Sequence, residues 1–293
     1  MSVSAATIQD AFRRGAAAGA RYALAVPAEA GGRSDGRRTG PRSGRSQDFR
    51  DFRDYHPGDD LRWVDWAVYA RSDRLSVRVF EEEVCPHADI VLDTSRSMAL
   101  AETRKAEAAA GLAALLAVAA ANAGFSACVW TDGAGLMRLP GTPTRPETWP
   151  SPSFDGRTSL VEQWRAQPPT LRRRGVRFLI SDLLWPGEPA AVLQHLGNAA
   201  AAVHVVQVLA EADLRPADHG FLRVADSETG QELDLFLDAS ARQQYAAALA
   251  MHRAAWDEGC RRYRASLHGL VVEDLLRDGI PTDLLRGGVL EGA

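Results

Sequence analysis

The residues best suited to chemistry stand at three places: Asp93, Ser95 and Ser97 in DTSRS, Thr158 in GRTSL, and Asp182 in ISD. Two carboxylates and three hydroxyls form a hard, all-oxygen set. It suits Mg²⁺ or Mn²⁺ better than zinc, because small hard cations prefer oxygen and an octahedral shell. The D-x-S-x-S spacing serves such an ion. As the chain turns over the end of a strand, the last strand residue and the next two alternate ones face one side. Mg²⁺ dehydrates reluctantly, so part of its shell stays as water. With hydroxyls supplying most direct contacts, the ion keeps net positive charge and can accept a carboxylate from a partner. A lone D-x-S-x-S can equally be a set of helix caps. The added GRTSL and a strand-terminal Asp182 make the metal reading the more specific one.

Those residues need strands ending beneath them. HADIVLD reads as an apolar strand ending at Asp93, and GFSACVWTD as a second, turning through Asp132-Gly133 into a third, GLMRL. VRFLISD ends at Asp182, and AAVHVVQVLA follows as a further strand. Helices are expected over 102–123, near Leu160–Trp164, and over 189–199. This order predicts an α/β fold, a mostly parallel Rossmann-like sheet with helices on both faces and ligands at its carboxyl edge. Ahead of it, the Ala-rich stretch 5–30 reads as one helix ending before Pro27, and 31–47 as an Arg/Gly/Ser strap. His56-Pro57-Gly58-Asp59 is turn chemistry, with Asp59 or Asp60 the expected N-cap of a helix whose apolar face carries Trp63, Trp66 and Ala70. In that reading the tryptophans hold the helix to its own domain, and Asp65 pairs with Arg62 or Arg71. Leu75, Val77 and Val79 alternate as a strand. The tail should form a hairpin around Thr229-Gly230 and a helix from about 239 to 264. The expected divisions are 1–48, 49–85, 86–210 and 211–293.

Composition narrows the class. The 293 residues, at roughly 150 per domain, allow about two domains. With 46% hydrophobic and 25% charged residues, the chain is neither wholly disordered nor a small disulfide scaffold. Cys85, Cys128 and Cys260 form no CxxC pair and read as reduced thiols. No charge-free run reaches 18 apolar residues and no signal-peptide pattern opens the chain, so a cytoplasmic protein is expected. Net charge is −4, yet residues 1–50 carry nine arginines against four acids. No aromatic lies between Arg33 and Arg45 for bases to stack on, so a solvated linker is favoured there over a nucleic-acid site.

Rival chemistries lack parts. There is no GxSxG elbow and no GxxxxGK[ST] loop. A haloacid-dehalogenase-like phosphatase wants a second Asp where Ser95 stands and a lysine at the site. Lys105, the chain's single lysine, falls in a long helix, which leaves Arg96 and Arg157 as the expected nearby cations. Cys85-Pro86-His87 is too small a set for zinc. His204 reads as a satisfied core residue, and His252 has no acid or nucleophile beside it in sequence.

The ordered set Asp93, Ser95, Ser97, Thr158 and Asp182 resembles the metal-ion-dependent adhesion site of von Willebrand factor A domains. The resemblance implies that the serines and threonine contact the ion while the aspartates hold it directly or through water. Thr131-Asp132-Gly133 mimics that family's last motif but precedes the threonine motif, so it is assigned to a hairpin turn. RDYHPGDDLRWVDWAVYAR, RLSVRVFEEE and ADSETGQELDL, followed by the helix of Tyr245 and His252, are similar to a bacterial family catalogued as domain of unknown function 58. That resemblance covers about Gly40 to Leu285. It implies a non-enzymatic, metal-dependent interaction module whose partner is a MoxR-type AAA+ ATPase or its client. The alternative is a metal-assisted phosphohydrolase using the same edge.

Overall fold

The computed structural model describes residues 3–25, 48–57, 64–81, 86–100, 102–133, 135–216 and 220–293. The strap at 31–47, the Asp59 and Asp60 caps, Trp63 and Cys85 therefore lie outside the described residues. The chain falls into two compact units, residues 34–85 and the remainder.

The larger unit opens with helix α1 (Ala5–Gly19) and strand β1 (Tyr22–Leu24). The helix stops well before Pro27, and the chain turns at once into β1. The smaller unit holds β2 (Asp48–Asp54), α2 (Trp66–Ser72) and β3 (Ser76–Glu81). The two strands pair antiparallel with an irregularity between Phe49 and Asp51. FRDFRD repeats every three residues rather than alternating, so it carries no strand periodicity to read. Helix α2 takes Asp65 as N-cap, its carboxylate accepting from the amides of Ala67 (3.0 Å) and Val68 (3.1 Å). Of the apolar face expected for this helix, the two described residues, Trp66 and Ala70, are both exposed. None of its residues is buried, and Trp66 is 58% exposed, edge-on to Tyr69.

The larger unit resumes with β4 (His87–Leu92), α3 (Lys105–Asn122), β5 (Ser126–Gly133) and β6 (Gly135–Arg138). Then come α4 (Leu160–Ala166), β7 (Val176–Ser181), α5 (Ala190–Gly197), β8 (Ala202–Leu209) and the short α6 (Glu211–Leu214). The hairpin β9 (Gly220–Ala225) and β10 (Glu232–Leu237) leads into α7 (Ala239–Arg262) and β11 (Ala265–Val271). Helices α8 (Val272–Asp278) and α9 (Thr282–Arg286) and strand β12 (Leu290–Gly292), paired with β1, finish the chain.

The central sheet has six strands in the order β11-β8-β7-β4-β5-β6, parallel except at β5–β6. Its sixth strand, β11, comes after the long helix α7 of the tail, where the sequence signalled only an extension. Alternation sorts the sheet's side chains. Ile90, Leu92, Phe178, Ile180, Val206 and Val208 join α1, α3, α8 and α9 in one core; Val91, Leu179, Val203 and Val205 join α4, α5 and α7 in the other. Fourteen of the eighteen residues of α3 are buried, and apart from Lys105 and Glu107 in its first turn those fourteen are all Ala or Leu, as a helix enclosed on every side requires. Among the described residues it is the one helix long and apolar enough to cross a membrane; here it is a core helix.

Candidate metal centre

From β4 the chain crosses to β5 on one side, while β7 returns on the other. Between the carboxyl ends of β4 and β7 the order of connection reverses, and a crevice opens at such a point. Asp93 and Asp182 stand on its two sides.

Asp93 follows β4 and prolongs its pairing, its amide donating to the Ile180 carbonyl at 3.0 Å. Its buried carboxyl group accepts from the Ser95 amide on Oδ1 (2.9 Å) and from Ser181 Oγ on Oδ2 (2.5 Å). Ser95 Oγ and Ser97 Oγ lie 3.0 Å apart. Ser95 bridges to Gly156 in parallel, the Arg96 amide donating to the Gly156 carbonyl and the Gly156 amide to that of Thr94. Gly156 permits this approach: a Cβ there would meet Asp132 Oδ2 at 3.0 Å and Ser95 Cα at 3.3 Å. The Thr158 motif is thereby zipped to DTSRS. Ser159 is spent on capping α4 in a reciprocal pair with Glu162, while Thr158 is exposed at the edge.

Asp182 ends β7 with Oδ1 accepting from the Leu184 amide (3.0 Å) and Oδ2 from Lys105 Nζ (2.9 Å). Between them Leu183 is buried in the left-handed region, φ 61°, a conformation that costs a branched residue about 1–3 kcal/mol. Helix α7 holds it there. His252 Nε2 donates to the Leu183 carbonyl (2.7 Å), and seven residues earlier Tyr245 Oη donates to the Asp213 carbonyl (2.6 Å) after β8. The partner of His252 is thus a main-chain oxygen, which no search for acids or nucleophiles would find. His204 is satisfied by Ser266 Oγ at 2.7 Å.

Three residues join the centre that sequence reasoning did not place there. Asp132, assigned to a hairpin turn, does end β5 in that turn, yet its Oδ1 accepts from both the amide and the hydroxyl of Thr94. Gln163 Nε2 reaches Asp132 Oδ2 (3.4 Å) and the Thr158 carbonyl (2.9 Å). Lys105 corrects the expectation that only Arg96 and Arg157 are near. It is fully buried, and besides Asp182 it pairs with Asp213 at 3.2 Å. Being the chain's single lysine was the one signal available for it.

Burial pushes the Asp93 carboxyl up to about 8, with Asp132 and Asp182 adding like charge against the hydrogen bonds from Ser181 and the Ser95 amide. Burial also raises Asp132. Burial acts to lower the Lys105 ammonium, but Asp182 and Asp213 outweigh it and hold it above its ordinary value.

Among the described residues no three His, Cys, Asp or Glu side chains converge to hold a metal. An ion here would be held chiefly by hydroxyls and water. Ser95 Oγ and Ser97 Oγ are hydrogen-bonded to each other at 3.0 Å, a separation close to the roughly 2.9 Å between cis ligands about 2.05 Å from Mg²⁺, so an ion would replace that bond.

The chain is similar to the Uncharacterized protein Rv1480 of Mycobacterium tuberculosis and Mb1516 of Mycobacterium bovis. Each is 29% identical over 212 residues, covering 68% of this chain and 67% of the relative. Over 85 residues it is 38% identical to the Uncharacterized protein MAV169 of Mycobacterium avium, covering 28% of this chain and 48% of that protein. Two solved structures align with low scores. One is the conserved hypothetical protein BatB from Bacteroides thetaiotaomicron (14% identity, 69% of this chain and 98% of that one, TM-score 0.38). The other is an aerotolerance-related membrane protein from Bacteroides fragilis (16%, 60% and 99%, TM-score 0.33). The family model for the protein of unknown function DUF58 matches residues 51–255, more than two thirds of the chain, and the chain belongs to that family.

Proposed function

We propose that this protein is a non-enzymatic, metal-dependent interaction module of the von Willebrand factor A type. In it Asp93, Ser95, Ser97, Thr158 and Asp182 hold Mg²⁺ or Mn²⁺, and a partner's Asp or Glu completes the shell. The observation that carries this reading is the hydrogen-bonded hydroxyl pair of Ser95 and Ser97 (3.0 Å) beside buried Asp93, at the switch point of the sheet. Lys105 already balances charge on Asp182, so in this reading Asp182 acts through water while Asp93 meets more of the ion's charge. The ion's role is to join two proteins through a carboxylate. An exposed apolar strip on the hairpin, with Phe221 91% exposed and its ring tilted against that of Phe236 at 4.8 Å between centroids, gives a partner further surface. We assign the partner, on family resemblance, to the MoxR-type AAA+ ATPases or their clients, and the compartment to the cytoplasm, where buried thiols such as Cys128 and Cys260 stay reduced.

The phosphohydrolase alternative gains a lysine by the site but no support from it. Lys105 is sealed from solvent between two carboxylates and has no face for a phosphate. Ser95 stands where that chemistry wants a second acid. The test is affinity for a MoxR-type ATPase, measured with Mg²⁺ and with EDTA, for wild type and Asp93→Ala. Loss of binding in EDTA and in the variant, with circular dichroism unchanged, supports the module. Affinity indifferent to EDTA overturns it.

A further inference from the structure

Three loops meet at one buried carboxylate, that of Asp132 near the end of β5. Its Oδ1 accepts from both the amide and the hydroxyl of Thr94, the residue between Asp93 and Ser95. The Thr94 hydroxyl also lies 3.1 Å from the Asp132 carbonyl, and the Thr94 carbonyl accepts from the Gly156 amide at 3.2 Å. Oδ2 accepts from Gln163 Nε2 (3.4 Å), and that nitrogen also donates to the Thr158 carbonyl (2.9 Å). Gly156 packs against the same oxygen, where a Cβ would stand at 3.0 Å. Thr94 and Gln163 are buried as well.

These bonds leave Asp132 little to offer an ion directly. A carboxylate has about four lone-pair sites, and here three donors occupy them while Gly156 closes on Oδ2. What the bonds fix is main chain. Thr94 is held at both its amide and its carbonyl, which sets the two residues flanking it, and Thr158 is held through Gln163. A threonine suits the middle of D-T-S because its hydroxyl adds a second donor to that of the amide. Loose loops must be ordered as they close around an ion, which weakens binding; loops fastened beforehand avoid that loss.

Building on the metal-dependent reading above, we infer that Asp132 is a positioning residue for the ion. It does not touch the ion; it fastens the DTSRS loop to the Thr158 loop so that Asp93, Ser95 and Thr158 stand ready together. It acts as a hydrogen-bond acceptor, through Thr94 and Gln163. A neutral amide oxygen in its place would serve the Thr94 half of that role.

The test titrates Mn²⁺ into the full-length protein by calorimetry and follows water-proton relaxation, which reports water on the bound ion. Asp132→Ala should weaken binding about tenfold to a hundredfold, as loss of a supporting group does, with circular dichroism unchanged. Asp132→Asn, whose amide oxygen accepts the same bonds from Thr94, should recover most of that affinity and keep the wild-type relaxivity. Thr94→Val keeps the amide donor, removes the hydroxyl and should lose affinity several-fold; it carries the test if Asp132→Ala does not fold. Wild-type affinity in Asp132→Ala or in Thr94→Val would overturn the positioning role and leave the metal centre standing. A loss in Asp132→Asn as large as in Asp132→Ala would also overturn it, because charge alone would then matter. Higher relaxivity in Asp132→Asn would make Asp132 a ligand and overturn it too. Absence of Mn²⁺ binding by the wild type would instead remove the metal centre, and Asp132 would position nothing.

Discussion

Asp93 concentrates the energetics of the centre. Its folded-state pKa of about 8 lies far above the ordinary carboxyl value of 3.8, so between those pH values the folded chain binds more protons than the unfolded one. This group's contribution to stability is therefore greatest below about pH 4 and is lost as pH rises towards 8. Metal-free wild type should lose thermal stability across pH 5–8, and Asp93→Asn should flatten that slope; an equal slope in both would contradict the burial argument. Mg²⁺ needs the carboxylate, so its binding at pH 7 should release close to one proton, measurable by calorimetry in buffers of different ionisation enthalpy. Lys105 gives a second prediction. Lys105→Met leaves Asp182 buried and unpaired and should cost about 3–5 kcal/mol in chemical denaturation. Lys105→Met/Asp182→Asn should recover much of that, and no recovery would mean that the pair does not act as one unit. Asp93, Ser95, Ser97 and Asp182 were legible because each closes or follows a strand whose apolar run can be read locally. Lys105 and Asp182 are 77 positions apart in sequence, and only the packing of α3 on the sheet joins them.

At the scale of elements, apolar alternation carried most of the sheet. β4, β5, β7 and β8 lie where their runs of Val, Ile and Leu put them, and the Asp132-Gly133 and Thr229-Gly230 turns form their hairpins. The misses have local causes. In α2, Trp66 and Ala70 share a helical spacing, but the helix is two turns long and the tryptophan faces out. β11 follows a 24-residue helix and pairs with β8, whose residues lie about sixty positions earlier, so nothing in its own sequence marks it as part of the main sheet. The crossing of α1 on α3 was hidden by an Ala-rich composition that signals helix without naming a neighbour. It depends on Gly15, where a Cβ would stand 2.0 Å from the Gly111 carbonyl oxygen. Gly15→Ala should force the helices apart and cost about 1–3 kcal/mol despite the better helix propensity of alanine. Gly111→Ala, whose Cβ would meet the Ala11 carbonyl at 3.4 Å, should cost less. Equal, negligible effects in urea denaturation would show that the crossing is not tight.

Across the whole molecule, the family match at residues 51–255 takes in most of the smaller unit and five of the sheet's six strands, and ends inside α7, before β11. That helix reaches the loops after β7 and β8 through His252 and Tyr245, so the tail works as a brace for the switch point. His252→Ala should leave the fold intact and weaken metal binding several-fold by freeing the Leu183 backbone. The central claim is that this edge binds a divalent ion through its hydroxyls. It is tested most directly by calorimetric titration of metal-stripped protein with Mg²⁺, beside Ser95→Ala/Ser97→Ala. Saturable one-to-one binding by the wild type, absent in the double variant, is the predicted result. No Mg²⁺ uptake by the wild type, or equal uptake by the variant, would contradict it and leave DTSRS as a set of caps and turn contacts.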